Sequence, residues 1–116
     1  MNQTNRLYLK RAHELAAPED GERYLVDRIW PRGVRKDALV PTGWLREVGP
    51  SNALRRWFGH DPGRWADFRR RRYRGELKSQ PAVLQPMRGA LRRRPMTLVY
   101  SAHDEAHNQA VVLPSF

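Results

Sequence analysis

The stretch RYLVDRIWPRG, from Arg23 to Gly33, changes from apolar to polar residues within a few positions. Its first part, Arg23 to Trp30, is typical of a β-strand, and the adjacent Leu25 and Val26 favour a central strand that is buried on both faces. Pro31 ends this strand, because proline has no N–H to donate to a neighbouring strand. A buried strand that runs directly into charged residues predicts a site at its end.

Two other segments have the pattern of a strand. Arg6–Ala12 alternates apolar and polar residues over the length of a strand. Pro95–Ala102 carries Leu98 and Val99 next to the β-branched Thr97.

Proline, glycine and N-capping residues predict helices between and after the strands. Pro86 would kink its helix or mark the true start of that helix. The predicted helices are Pro41–Gly49, Ser51 to Gly59, Pro62 to about Ser79, about Pro81 to Arg93, and a last helix from Asp104 through the C-terminal residues.

Long helical stretches separate the strands, so these strands cannot pair as simple hairpins, and parallel crossover connections are expected. The predicted fold is therefore a single α/β domain over residues 1–116, with a small, mostly parallel sheet flanked by helices.

Ligands of open α/β sheets bind outside the carboxyl ends of the strands. Two strands, ending near Trp30 and Tyr100, are followed by polar residues and are expected to be parallel neighbours, which would place these residues at one edge. The candidate catalytic residues are Asp27, Tyr100 and His107. The candidate ligand-binding residues are Arg28, Arg32, Trp30, Ser101, Asn108 and His60.

Guanidinium groups suit the binding of phosphate or carboxylate, so Arg28 and Arg32 are predicted to hold an anion, with Asp27 orienting an arginine. Structural roles remain open for the same residues. Asp27 and Arg28 could form a local ion pair, and Trp30 could serve packing alone. His107 and Asn108 could be a proton-transfer and orienting pair, or polar groups that anchor the last helix.

The 22 Lys and Arg residues exceed the 12 Asp and Glu residues, for a formal charge of +10. This charge favours anionic partners and leaves two function classes open. The first is an enzyme or binding domain for a small anionic ligand at the strand ends, one that carries phosphate or carboxylate, with a nucleotide-like molecule as one candidate. The second is a nucleic-acid-binding protein that uses two arginine runs. The candidate residues of this second class are Arg69, Arg70, Arg71, Arg72, Arg92, Arg93 and Arg94.

The chain has no cysteine, which excludes disulfides and thiolate metal sites. His103 and His107 are four residues apart, but no third ligand accompanies them, so no metal is expected. No Walker loop, dinucleotide fingerprint or nucleophile elbow is present, and no cofactor is predicted. Because no apolar run approaches the roughly 20 residues of a membrane span and no signal peptide is present, a cytoplasmic protein without membrane contact is expected.

Three blocks together resemble the YeaO-like family of bacterial proteins, which carry domain of unknown function 488. They are LVDRIWPRGV, LRRWFGHDPGRWADFRRR and LVYSAHDEAHNQAVVL, and the similarity runs from about Arg6 to the C-terminus. This resemblance implies a small single α/β domain and carries no settled activity.

The chain departs from this family's pattern at three places. His103 stands at a position that is usually Lys or Arg, and relatives often have His-Asn-His where this chain has His107-Asn108-Gln109. The aromatic residue after the arginine run usually falls four residues beyond the phenylalanine, whereas Tyr73 is five residues beyond Phe68. This additional residue leaves two registers open for the third helix.

Overall fold

A computed structural model describes residues 7–39 and 41–115, the last of these in its backbone only. The strands are β1 (Leu7–Arg11), β2 (Glu22–Leu25), β3 (Gly43–Trp44) and β4 (Met96–Tyr100). The α-helices are α1 (Lys36–Leu39), α2 (Asn52–Phe58), α3 (Trp65–Asp67), α4 (Tyr73–Ser79), α5 (Gln85–Arg93) and α6 (Gln109–Val112). A π-helical turn, Phe68–Arg72, joins α3 to α4, and 3-10 turns span Pro18–Asp20, Arg46–Val48, Pro62–Arg64, Pro81–Leu84 and Leu113–Ser115.

The four strands form one parallel sheet in the order β1-β4-β2-β3. β4 lies in its centre, where Leu98 pairs with Tyr24 of β2 on one side and with Leu9 of β1 on the other. The predicted α/β class is therefore correct. The expectation that the second and last predicted strands are parallel neighbours is also confirmed.

Hydrophobic residues pack on both faces of the sheet. The larger cluster contains Tyr24, Val26 and Leu98, together with buried residues of the helices that follow β3. Leu25 and Val99 belong to a smaller cluster with Leu39 of α1. The two-sided burial predicted for the adjacent Leu25 and Val26 is confirmed, because successive residues of a strand point to opposite faces.

The second strand is shorter than predicted and ends at Leu25 instead of Trp30. Val26 still donates its N–H to the Val99 carbonyl. Beyond it, side-chain hydrogen bonds replace the backbone pairing: Asp27 accepts from Ser101 directly after β4, and Arg28 donates to the Pro50 carbonyl.

The predicted helix at Pro41–Gly49 is wrong. This segment contains the edge strand β3 and then the 3-10 turn. The Thr42 N–H bonds to the Arg23 carbonyl, and the Leu45 N–H bonds to the Leu25 carbonyl. These hydrogen bonds to β2 pair two residues that have no strand pattern of their own.

The last helix begins later than predicted. Asp104 closes a separate turn by accepting hydrogen bonds from the N–H groups of Ala106 and His107. Asn108 is the actual N-cap of α6, because its side-chain oxygen accepts from the Ala110 N–H at 2.9 Å. The helix predicted from Pro81 starts as a 3-10 turn and becomes α-helical at Gln85, with Pro86 in the first turn.

The π-helical turn explains the unusual spacing of aromatic residues. In an α-helix, residues four apart share a face. The wider π turn accommodates one more residue and brings Phe68 and Tyr73 together, with ring centroids 5.3 Å apart. Both rings are buried, at 1% and 0% exposure.

Candidate functional site

A cleft of about 470 Å³ lies at the carboxyl ends of β2 and β4. Residues 27–32 form one wall, and three residues of α2 with Phe68 form another. The rest of the lining consists of Pro50, His60 and residues from the end of β4 to the start of α6. Its size falls within the usual range of small-molecule sites, roughly 300–1,000 Å³. The predicted location of the site at the strand ends thus coincides with a cavity.

Asp27 is the acidic residue of this cleft, and its side chain is held by three donors. Oδ2 accepts hydrogen bonds from the Ser101 N–H at 3.1 Å and from the Ser101 hydroxyl, and Oδ1 accepts from Gln109 Nε2 at 2.6 Å. Asp27 is only 8% exposed. Burial raises the pKa of its carboxyl group above the usual value, against the opposing effect of these hydrogen bonds and of the nearby Arg55.

Arg28 lines the cleft but is committed to the backbone. Its Nε donates to the Pro50 carbonyl at 2.8 Å and its Nη2 donates to the Gly49 carbonyl at 2.7 Å. The predicted interaction between Asp27 and a neighbouring arginine is therefore wrong for Arg28. Among the described residues, no ion pair involves Asp27.

Arg28→Ala is expected to lower the free energy of unfolding by about 1.5–3 kcal/mol, because it removes charge-assisted hydrogen bonds and leaves two carbonyls without their donors. Chemical denaturation measures this difference. Arg32→Ala is the matched control, since Arg32 also lines the cleft but is exposed, and its expected change is within about 0.5 kcal/mol. Equal stabilities of the two variants would contradict the structural role of Arg28.

Three further arginines, Arg32, Arg55 and Arg56, are exposed and line the cleft. Arg55 donates to the Asn52 side chain at 3.1 Å, an uncharged partner. Within the described part of the chain, none of the three forms an ion pair with a carboxylate. Their positive charge therefore stays available to a ligand.

The remaining predicted ligand-binding residues, Trp30, His60, Ser101 and Asn108, also line the cleft. Trp30 has a packing role as well, because its Nε1 donates to the Val34 carbonyl and its ring contacts Trp44 edge-on. His60 is exposed and has a positive φ of 56°. Asn108 caps α6 and donates its Nδ2 to the Asp104 carbonyl, so both ends of its amide have protein partners.

Two predicted catalytic residues, Tyr100 and His107, are not among the residues that line the cleft. The Tyr100 side chain is part of the larger hydrophobic cluster. His107 Nδ1 lies 2.8 Å from Asp104 Oδ2, and its ring contacts Trp65 edge-on at 5.2 Å. The hydrogen bond from His107 lowers the pKa of the Asp104 carboxyl. The structure thus groups Asp27 with the predicted ligand-binding residues and separates it from Tyr100 and His107.

The two arginine runs are exposed, but several of their charges are paired. Arg71 and Arg72 bind Asp67, and Arg72 also lies over the Trp57 ring at 4.0 Å. The second run has the same character, because Arg93 and Arg94 both bind Glu22. Arg69, Arg70 and Arg92 have no ion pair among the described residues.

Residues 7–39 and 41–115 contain no group of three or more His, Asp or Glu side chains placed to hold a metal ion. None of their helices has the length and apolar character required to cross a bilayer.

Comparison with known proteins places the chain in a family. Residues 6–116 match the family described as "Inactive DUF488-N3 subclade". The chain belongs to the DUF488 family. Uncharacterised proteins of Mycobacterium tuberculosis and Mycobacterium bovis are each 39% identical over 113 residues, which cover 97% of this chain and 94% of each relative. The uncharacterised Escherichia coli protein YeaO is 38% identical over 104 residues, 90% of each chain. No solved structure matches the chain significantly.

Three polar residues of the cleft were not predicted from the sequence. Gln109 bonds to Asp27, and Arg55 and Arg56 line the cleft. The only signal at Gln109 was the departure from the His-Asn-His pattern of DUF488 relatives. In the sequence, nothing distinguishes Arg55 and Arg56 from other exposed arginines of a helix, because it is the packing of α2 that places them beside the strand ends.

Proposed function

We propose that this DUF488 protein binds a small anionic ligand, one that carries phosphate or carboxylate, in the cleft at the ends of β2 and β4. The observation that supports the proposal is the charge of the lining, which includes four arginines and a single carboxyl group. Three of these arginines are the exposed Arg32, Arg55 and Arg56. Guanidinium groups beside a concave, partly apolar site favour the entry of anions and bind them through charge-assisted hydrogen bonds.

The proposal concerns binding and leaves out turnover. Tyr100 and His107, the predicted partners of Asp27 in catalysis, do not line the cleft. A general acid or base has to reach the reacting atoms within hydrogen-bond distance. The family description "inactive" agrees with a binding role.

Calorimetric titration with pyrophosphate provides the test. Arg32→Gln/Arg56→Gln is expected to weaken pyrophosphate binding at least about tenfold, because each lost charge-assisted hydrogen bond contributes about 1.5–3 kcal/mol. Arg69→Gln/Arg92→Gln is the matched control, since it removes the same charge at exposed positions outside the cleft. Its expected loss is less than about twofold at physiological salt, because these residues make no direct contact with the cleft and salt screens exposed charges.

Three outcomes would count against the cleft. Absence of pyrophosphate binding would contradict the proposal directly, and equal losses in the two double variants would assign the binding to overall charge. Nucleic-acid binding by the arginine runs has less support, because Asp67 and Glu22 pair with four of their arginines. Nucleic-acid binding would become the better supported function if a single-stranded oligonucleotide bound tightly at physiological salt and only Arg69→Gln/Arg92→Gln lost this binding.

A further inference from the structure

The charged side chains of the cleft differ between its exposed mouth and its buried floor. Arg32, Arg55 and Arg56 are exposed cations. Asp27, by contrast, is 8% exposed and Asn108 is 2% exposed. Positive charge therefore surrounds the entrance, whereas the buried part carries a carboxyl group and uncharged polar side chains.

This polarity selects against a ligand that is anionic throughout. An anion at the mouth is attracted by the guanidinium groups, but the same anion beside Asp27 would meet a like charge in a poorly solvated place. A ligand that occupies the whole cleft therefore needs an anionic group at one end and an uncharged hydrogen-bond donor at the other.

Asp27 has one acceptor position left for such a donor. An ionised carboxylate offers about four lone-pair sites. Ser101 occupies two of them on Oδ2, and Gln109 occupies one on Oδ1. Because these donors hold the carboxylate in place, the fourth site has a defined direction before any ligand arrives.

The middle of the cleft is apolar on the side that follows β2. Ile29 is 55% exposed, and Trp30 beside it is half-buried. Both line the cleft. The Trp30 indole contacts Trp44 edge-on, with ring centroids 5.6 Å apart, and packs against the smaller hydrophobic cluster, so its position in the wall is fixed by protein contacts. A flat ring system can pack against such a wall.

From these features we propose that the ligand is a nucleoside phosphate, an inference that rests on the anion-binding function proposed above. The phosphate lies among the guanidinium groups at the mouth, the base packs against Ile29 and Trp30, and an N–H of the base donates to Asp27 Oδ1. The same chemistry is present in a free nucleotide and in a terminal nucleotide of a nucleic-acid strand.

The decisive experiment compares the four ribonucleoside 5′-monophosphates with ribose 5-phosphate by calorimetric titration of the unmodified protein. Ribose 5-phosphate keeps the phosphate and the sugar and lacks only the base. At least one nucleotide is expected to bind at least about tenfold more tightly, because the contact of a base with an aromatic side chain and one hydrogen bond add to the phosphate contacts.

Two variants assign the contacts. Asp27→Asn replaces the free acceptor site by an N–H donor, while the Gln109 amide can rotate to keep its hydrogen bond to residue 27. This variant is expected to reduce the difference in affinity between the nucleotide and ribose 5-phosphate at least about fivefold. Arg32→Gln is expected to weaken both ligands by the same factor. Circular dichroism of Asp27→Asn checks that the variant is folded, and the comparison of ligands on the unmodified protein does not depend on it.

The outcomes separate this inference from the proposed function. If ribose 5-phosphate and all four nucleotides bind equally, the inference fails and anion binding stands. If none of them binds and pyrophosphate does not bind either, both fail. A further titration, with a short 5′-phosphorylated oligonucleotide, distinguishes the sources: tighter binding than any free nucleotide, with the same dependence on Asp27, identifies a strand end as the ligand.

Discussion

Gly21→Ala is expected to lower the free energy of unfolding by about 3–5 kcal/mol, the sum of a strained backbone and a steric overlap. Gly21 has a φ of +66° and a ψ of −140°, a combination that side chains with a Cβ atom avoid. A Cβ added here would lie 2.1 Å from the Pro95 carbonyl oxygen and 2.8 Å from its carbon. That carbonyl accepts the Glu22 N–H, the contact at which β2 first meets the segment before β4. Urea denaturation followed by circular dichroism measures the loss.

Gly33→Ala separates the two causes. Gly33 also has a positive φ, +76°, but a Cβ added to it would have no atom within 4 Å. Only the strain of a residue with a Cβ atom at positive φ remains, so the expected loss in free energy of unfolding is about 1–2 kcal/mol. If Gly21→Ala costs no more than Gly33→Ala, the close approach of Gly21 to Pro95 does not exist in solution.

Phe68→Ala is expected to destabilise the protein by about 3–5 kcal/mol, the range for removing a buried phenylalanine ring. Phe68 is 1% exposed and stands between aromatic neighbours. Its ring stacks on Phe58 with centroids 4.5 Å apart and also contacts Trp65 and Tyr73. Because Phe68 also lines the cleft, the variant would enlarge the binding site from its buried side. Thermal and chemical denaturation measure the loss of stability.

Phe68→Leu is the control for this prediction. Leucine fills part of the same space and loses the aromatic stacking, so we expect less than half of the destabilisation of the alanine variant. An alanine variant as stable as the unmodified protein would mean that the π-helical turn does not bury Phe68 as described.

The sequence was most informative about the sheet. Local periodicity placed three of the four strands, and the change from apolar to polar residues after Leu25-Val26 and after Tyr100 identified the carboxyl edge as the place of a site. The predicted parallel pairing of β2 and β4 was correct. These features are local in sequence, and the rule that parallel strands end at one edge is general, so no knowledge of contacts was needed.

The roles of individual polar residues were harder to predict. The sequence offered Arg28 as an anion ligand, but Gly49 and Pro50 supply carbonyls that occupy its guanidinium group. It also offered Asp27 as a partner of arginine, but Ser101 and Gln109 are its partners. A side chain bonds to whichever groups the fold brings within about 3 Å, and neighbours in sequence are only some of the candidates.

The sequence by itself determined the α/β class, the segments of β1, β2 and β4, and the concentration of polar residues where β2 and β4 end, because strand periodicity and the breaks made by proline and glycine act within a few residues. Only the tertiary structure decided that β3 is a strand, that α6 starts at Gln109, and that a π turn absorbs the extra residue before Tyr73. It also decided which residues line the cleft. The hydrogen bond between Asp27 and Gln109 joins residues 82 positions apart. Contacts at such separations depend on the packing of the whole chain, and the free energy of that packing overrides weak local preferences.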